Sequence, residues 1–299
     1  MAPERSATRD PRQVPHVSLL ATLTNEAWLN CERGQNEMEP ATLLLVDLSV
    51  PVGEEYPCSW PGLTPFAAHQ TLGADIPDEY FISRSLTMEE HLGTHVDALS
   101  HATADDNGTR LTSLDTLPLA RFCGRPRVID SRAIRGHING ESPWILPALV
   151  TAHEARTEPL KPGDVALFWT GWSDEFYHGT SQREHYVDWP LSGRSPGWPA
   201  LHADTLHYLA ERHILTVGVD TPSLGATHDP LSPHRAAFST EITPVENLTN
   251  LADVTDGIGL FIFLPLAMLR ATGAPGRAVV LLHPAEPLPS ATSVAEVDV

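Results

Sequence analysis

Eleven residues, His91-Leu92-Gly93-Thr94-His95-Val96-Asp97-Ala98-Leu99-Ser100-His101, carry three histidines and a carboxylate. They restrict the path of the chain more than any other stretch. In a strand, positions 91, 95, 97 and 101 share a face, but at about 3.3 Å per residue His91 and His95 stand roughly 13 Å apart. Ligands of one ion each sit about 2.0–2.2 Å from it. The chain must therefore turn between them, as a helix or through a bend. Gly93 is where a bend costs least. The pattern favours a bend followed by a short extended piece that sets His95 beside Asp97. His101, four residues further on, is close without being an obvious ligand, which is where a general acid/base is wanted. Imidazole and carboxylate donors with no nearby cysteine suit zinc, manganese or ferrous iron. Fifteen histidines make some clustering a matter of chance, but a surface cluster needs neither the Gly-Thr insert nor the interleaved aspartate.

Composition narrows the partners. A formal net charge of -19 disfavours nucleic acid and anionic membrane, both of which demand cationic surface. Cys31, Cys58 and Cys123 form neither a disulfide framework nor a zinc-finger spacing, as expected for reduced thiols in a cytoplasmic protein. The N-terminus has no apolar signal core. The apolar run from Gly257 to Leu269 is broken by Pro265 and falls short of the about 20 residues of a membrane span.

Residues 1–40 mix charge, proline and scattered apolar residues, and read as a flexible or oligomer-clasping extension of one domain over 41–299. Strands are predicted at Leu43–Leu48, Phe81–Leu86, Val128–Asp130, Val165–Thr170, Ile214–Val219 and Ala278–Leu282, with helices at Val150–Arg156 and Leu201–Arg212. Asp105-Asp106-Asn107-Gly108 reads as a turn. Residues 172–199, rich in aromatics, Gly and Pro, read as a long loop of the kind that serves as a lid. The balance is an α/β domain with a β-rich core and some parallel pairing near 201–219.

Other ligands are sought at strand ends, where sites gather in α/β sheets. Asp47, Asp130 and Asp220 each occupy one, although most such aspartates form turns or caps. His234 and Glu246 lie in a proline-bounded stretch and are stronger candidates.

The pattern His91-x-Gly93-Thr94-His95-x-Asp97-x-x-x-His101 resembles the signature of the metal-dependent cyclase family, whose members include bacterial kynurenine formamidase and isatin hydrolase. Asp47-Leu48-Ser49, Trp60-Pro61-Gly62, Thr170-Gly171-Trp172, Gly218-Val219-Asp220-Thr221-Pro222-Ser223 and Leu264-Pro265-Leu266 resemble its other blocks, so the likeness spans most of residues 44–283. It implies a swivelling β/β/α domain, assembled as a homodimer or homotetramer. It implies that His91, His95 and Asp97 bind a first divalent ion, zinc or manganese. His234 and Glu246, twelve residues apart as in the formamidase branch, would hold a second ion with the shared aspartate. His101 would be the proton-transfer residue. Leu99 stands where the family commonly has proline, and Leu92 where smaller or polar residues are frequent. With the extra length, these departures point to a bulkier or differently shaped substrate than that of kynurenine formamidase.

The implied chemistry is hydrolysis of an amide, lactam or ester. A divalent ion brings the pKa of water from 15.7 to about 7, and His101 hands a proton to the leaving group. Trp60 and Trp172, with Trp169 a weaker candidate, are expected to form an aromatic wall for a planar substrate. Two alternatives stand beside this: Lewis-acid ring closure, dehydration or isomerisation under a water-excluding lid, and a non-catalytic metal-binding protein.

Overall fold

A computed structural model describes residues 21–22, 42–72, 82–101, 112–135, 141–179 and 183–282. Its strands are β1 (Ala21–Thr22), β2 (Thr42–Asp47), β3 (Ala67–Leu72), β4 (Ser83–Thr87), β5 (His95–Asp97), β6 (Cys123–Asp130), β7 (Trp144–Ile145), β8 (Asp164–Trp169), β9 (Ala200–Leu201), β10 (Thr216–Val219), β11 (Thr243–Glu246), β12 (Leu260–Pro265) and β13 (Gly273–Leu282). The main helices are α1 (Pro147–Arg156), α2 (Trp172–Phe176), α3 (Ala203–Ala210) and α4 (Leu231–Ser239).

Nine strands form one sheet in the order β1-β2-β13-β12-β6-β8-β10-β11-β5, and β13 pairs again with β5. The second pairing closes the sheet into a barrel-like ring. Strand β13 reaches both neighbours because it is long: residues 273–275 pair with β5, and 279–282 with β2. Strands β6, β8, β10 and β11 run parallel, so each return crosses over through helical segments on the outer face. The step from α3 into β10 is the one expected at 201–219.

Strand β8 shows why the chain layers this way. Val165 and Leu167 face one apolar cluster inside the ring, with Val96, Phe122, Val245, Phe261 and Phe263. Ala166 and Phe168 face a second cluster beneath the helices, with Val150, Leu206, Leu209 and Phe238. Burial on both faces explains a continuous apolar run where a one-sided strand would alternate. Both clusters close against the sheet that carries β5.

Two expectations change. The strand expected at Phe81–Leu86 is β4, displaced to Ser83–Thr87, exposed throughout and paired only with β3. Its alternation marks a two-stranded hairpin beside the barrel. The stretch 172–199 is not a loop. It contains α2, a π-helical turn at Glu184–Asp188 and a helical turn at Trp189–Leu191. Its aromatics Trp172, Tyr177, Tyr186 and Trp198 are buried with Val50, Cys58 and Leu92 in a third cluster. Burial of that much aromatic surface anchors the described residues 172–179 and 183–199 beside the cleft. Of the N-terminal extension, the described part is β1, which adds antiparallel to β2. The turn at 105–108 lies outside the described residues.

Candidate metal centre

Gly93 makes the bend, with φ +54°, and its N–H donates to the Cys58 carbonyl. Thr94 then fastens three segments: its hydroxyl accepts from the Val50 N–H at 2.9 Å and donates to the Asn247 carbonyl at 2.6 Å. His95 and Asp97 follow on β5, held between β11 and β13. The register with β11 sets Glu246 directly opposite His95. His234 comes from α4.

These side chains converge on Asp97. Its Oδ1 lies 2.7 Å from His91 Nδ1 and 3.5 Å from His95 Nε2, and its Oδ2 lies 3.5 Å from His234 Nε2. Glu246 spans the same two imidazoles, with Oε2 3.4 Å from His95 Nε2 and Oε1 3.4 Å from His234 Nε2. The His101 ring sits 4.0 Å from that of His91, centre to centre. His91, Asp97 and His101 form one group close enough to hold an ion, and His95, Asp97 and Glu246 a second.

The donor set fits a divalent cation. Four of these separations, 3.4–3.5 Å, are long for charge-assisted hydrogen bonds. A tetrahedral ion with bonds of about 2.0–2.2 Å separates its ligands by roughly 3.3–3.6 Å. The tautomers agree: His95 Nδ1 lies 2.8 Å from the Gly93 carbonyl and His234 Nδ1 2.6 Å from the Pro230 carbonyl. Each Nδ1 must donate there, which turns the Nε2 lone pair toward the carboxylates. His91 is oriented likewise, since the Thr272 hydroxyl donates to Glu90 Oε2 at 2.6 Å and is left to accept from His91 Nε2 at 3.1 Å.

Charge is balanced by environment. Burial works against ionised His95 and His234, but hydrogen bonds and attraction from Asp97 and Glu246 prevail and raise both to about 10 in the ion-free protein. Burial likewise opposes the charged form of Asp97, yet His234, His91 and His95 hold it well below the usual carboxylate range. His101 is pushed down, first by burial and then by His91 and His234 against Asp97 and Glu246, so its imidazole is neutral at pH 7. The cluster forms the floor of a cleft of about 1210 Å³ walled by Cys58, Trp60, Tyr186 and Phe238.

Residues 46–226 match the family described as "Putative cyclase". The chain belongs to the cyclase family. Kynurenine formamidase from Bordetella pertussis is 31% identical over 241 residues, covering 79% of this chain and 97% of that protein. In structure, isatin hydrolase A from Ralstonia solanacearum superposes with a TM-score of 0.68 at 22% identity, over 80% of this chain and 92% of that one. A "predicted metal-dependent hydrolase" from Bacillus stearothermophilus gives 0.55 at 22% identity, over 81% and 99%. These likenesses identify the mixed α/β fold with its barrel-like sheet as the one found in cyclase-family structures.

Within that family fold, the expected ligands His91, His95, Asp97, His234 and Glu246 come together, with His101 beside them. Asp97 lies within 3.5 Å of His91, His95 and His234, and Glu246 within 3.4 Å of His95 and His234, so the expected grouping of His234 and Glu246 around the shared aspartate is present as geometry. Trp60 lines the cleft. Trp172 does not: it is 6% exposed, and its indole N–H donates to the Tyr186 carbonyl at 3.1 Å. It supports the wall from behind. Trp169 lies under the Arg132 guanidinium at 3.6 Å. The strand-end aspartates are engaged elsewhere: Asp47 with Arg277, Asp130 with Arg132, and Asp220 with Thr170 and Gly171. Burial raises Asp220 to about 7.

Sequence reasoning missed Tyr186 and Asn247, which both line the cleft, and Leu224, whose N–H donates to Glu246 Oε1 at 2.6 Å. Asn247 offered one signal, an asparagine directly after a candidate ligand, since asparagine tolerates the left-handed backbone it adopts here (φ +58°).

Proposed function

We propose that the chain is a metal-dependent hydrolase that cleaves a non-peptide C–N bond in a small planar amide or lactam, with aryl esters as a secondary class. The observation that carries this reading is the pair of Nε2 atoms, His95 and His234, each 3.4–3.5 Å from both Asp97 and Glu246. Similarity to kynurenine formamidase supports the bond type.

His91, His95, Asp97, His234 and Glu246 would hold one or two zinc or manganese ions. Bound there, such an ion supplies Lewis acidity to a carbonyl oxygen and acidifies water to a pKa of about 7. The chain's own groups do the rest. The carbonyls of Gly93 and Pro230 fix the two Nε2 lone pairs. Trp60 offers an apolar face to a planar substrate. His101, beside the candidate ligands with its pKa pushed down by burial, would take a proton and pass it to the leaving nitrogen. Hydrolysis is preferred over ring closure without water addition because the similar kynurenine formamidase is named for cleaving a formamide. The resemblance and the exposed Leu260, Leu264 and Leu266 beside β13 support a homodimer or homotetramer. Among the described residues no helix is long and apolar enough to cross a membrane.

The test is turnover of formanilides, isatin-like lactams and aryl esters, with elemental analysis of the purified protein and a chelated control. Metal-dependent release of acid and amine is expected. A fully metal-loaded protein inert across the whole set contradicts the reading.

A further inference from the structure

Asn247 is 7% exposed, lines the cleft beside Glu246, and is fixed at every polar atom but one. Its backbone N–H donates to the Thr221 carbonyl at 3.1 Å, and its own carbonyl accepts from Thr94 Oγ1 at 2.6 Å. Its side-chain Oδ1 accepts from the Tyr186 hydroxyl at 2.5 Å. Tyr186 is 1% exposed, so turning the amide over would leave its hydroxyl hydrogen buried without an acceptor, a costly arrangement. The orientation is thereby set. Asn247 Nδ2 has no acceptor among the described residues, and it is not a sealed, solvent-free atom. Asn247 lines the cleft, so this donor is within reach of what the cleft holds.

Tyr186 is itself held from behind. It lies on the π-helical turn at Glu184–Asp188, an irregularity frequent at functional sites, and Trp172 Nε1 donates to its carbonyl. A line of contacts thus runs from Trp172 through Tyr186 to the amide, ending in an unspent donor next to the carboxylate cluster. The left-handed backbone at Asn247 is a strained conformation retained beside the site.

We infer that Asn247 Nδ2 is a hydrogen-bond donor to the substrate's carbonyl oxygen as it gains negative charge, with Tyr186 as the positioning residue that aims it. The inference rests on the hydrolase reading for its chemistry: the C=O bond becomes a C–O single bond bearing the charge, and the amide N–H meets that oxygen without transferring its proton. A donor fixed in advance is worth about 100- to 1,000-fold in kcat.

Asn247→Gly tests it, because glycine keeps the positive φ while removing the amide; Tyr186→Phe removes only the aim. Two readouts are taken on the metal-loaded enzyme, with ion content and melting temperature as controls: kcat and KM on formanilide, and calorimetric affinity for phenylphosphonate, a tetrahedral oxyanion probe. Expected are a kcat lowered about 100- to 1,000-fold in Asn247→Gly with KM little changed. A loss of about 3- to 10-fold is expected in Tyr186→Phe, and the phosphonate should bind at least about tenfold more weakly to Asn247→Gly. Ion content should stay at the wild-type level. Unchanged kcat and unchanged phosphonate affinity in Asn247→Gly overturn the inference while wild-type turnover keeps the hydrolase reading. A wild type that turns over nothing, yet binds phosphonate in an Asn247-dependent way, overturns the hydrolase reading and sustains the donor. Should Asn247→Gly fold poorly, Tyr186→Phe decides: a kcat equal to wild type overturns the aiming role and the donor with it.

Discussion

Glu246 faces His95 across the antiparallel pairing of β11 with β5, and its two carboxylate oxygens divide between His95 and His234 at 3.4 Å each. Strand register thus brings together candidate ligands far apart in the sequence, and Asp97, two residues along β5, completes both contacts. Glu246→Gln removes one charge from this set, whereas Asp97→Asn weakens every contact that depends on the shared carboxylate. Elemental analysis should show partial metal loss in the first variant and near-complete loss in the second, with the melting temperature falling in parallel. Full wild-type loading of Asp97→Asn would contradict the shared-ligand geometry.

Acidity and metal binding compete at the same nitrogens. With burial opposing but Asp97 and Glu246 prevailing, His95 and His234 titrate at about 10 in the ion-free protein, against 6.5 when unperturbed. A raised histidine contributes stability that is complete below about pH 6.5 and is lost as pH climbs through about 10. Chelated protein should therefore melt at a lower temperature at pH 10 than at pH 6.5. The ion must displace these protons, so its apparent affinity should rise about tenfold per pH unit for each proton displaced across that window. Calorimetry in two buffers of different ionisation enthalpy counts the protons. No proton release near pH 7 would rule out protonated Nε2 atoms.

His101 should separate chemistry from metal loading. His101→Ala is expected to lower kcat about 100- to 10,000-fold while ion content stays at the wild-type level. Loss of an ion in that variant would instead make His101 a ligand of the group it shares with His91 and Asp97.

The legible part of the site was the part whose geometry is local. A bend at Gly93 followed by His95 and Asp97 on one strand face can be read from reach and periodicity alone. His234 and Glu246 needed the family spacing, because only strand register and the placement of α4 bring them in. Tyr186 was hidden because the burial of 172–199 depends on aromatic contacts among residues with no helical or strand period. Asp47, Asp130 and Asp220 look alike in sequence, and only the neighbouring arginines and the Thr170–Gly171 turn reveal that each has another partner. Strands β2, β6, β8, β10 and β13 and the extended piece at β5 were foreseen, but β1, β11 and β12 were not, nor was the closure through β13, since nothing in an apolar run tells how many neighbours it will have.

The two tryptophans proposed as a wall should now behave differently. Trp60→Ala opens the cleft and should raise KM for planar amides several-fold with little effect on stability. Trp172→Phe keeps an aromatic ring but a smaller one and removes the hydrogen bond to the Tyr186 carbonyl, which together should cost more than about 1 kcal/mol. It should lower kcat more than it raises KM, because the hydrogen bond it removes holds Tyr186, which in turn holds the Asn247 amide. Steady-state kinetics and thermal melts of the two variants distinguish the roles. Equal KM effects would place both rings against the substrate.

Gly273 lies where β13 passes β5, opposite Asp97. A methyl group there would approach His91 Cε1 to 2.5 Å and the Val96 carbonyl to 2.6 Å. The Val96 carbonyl is backbone, so the β13–β5 pairing must shift along with the imidazole. Gly273→Ala should displace His91 from Asp97 Oδ1 and from Thr272, neither of which the substitution touches directly. The expected result is a 10- to 100-fold weaker metal affinity, the scale seen when a ligand loses its orienting partner, with a folded protein by circular dichroism. Thr272→Val, which removes the hydroxyl behind His91 without crowding it, should weaken the metal through the same imidazole. If both variants bind metal as tightly as wild type, His91 is not a ligand, and the centre is built from His95, Asp97, His234 and Glu246 alone.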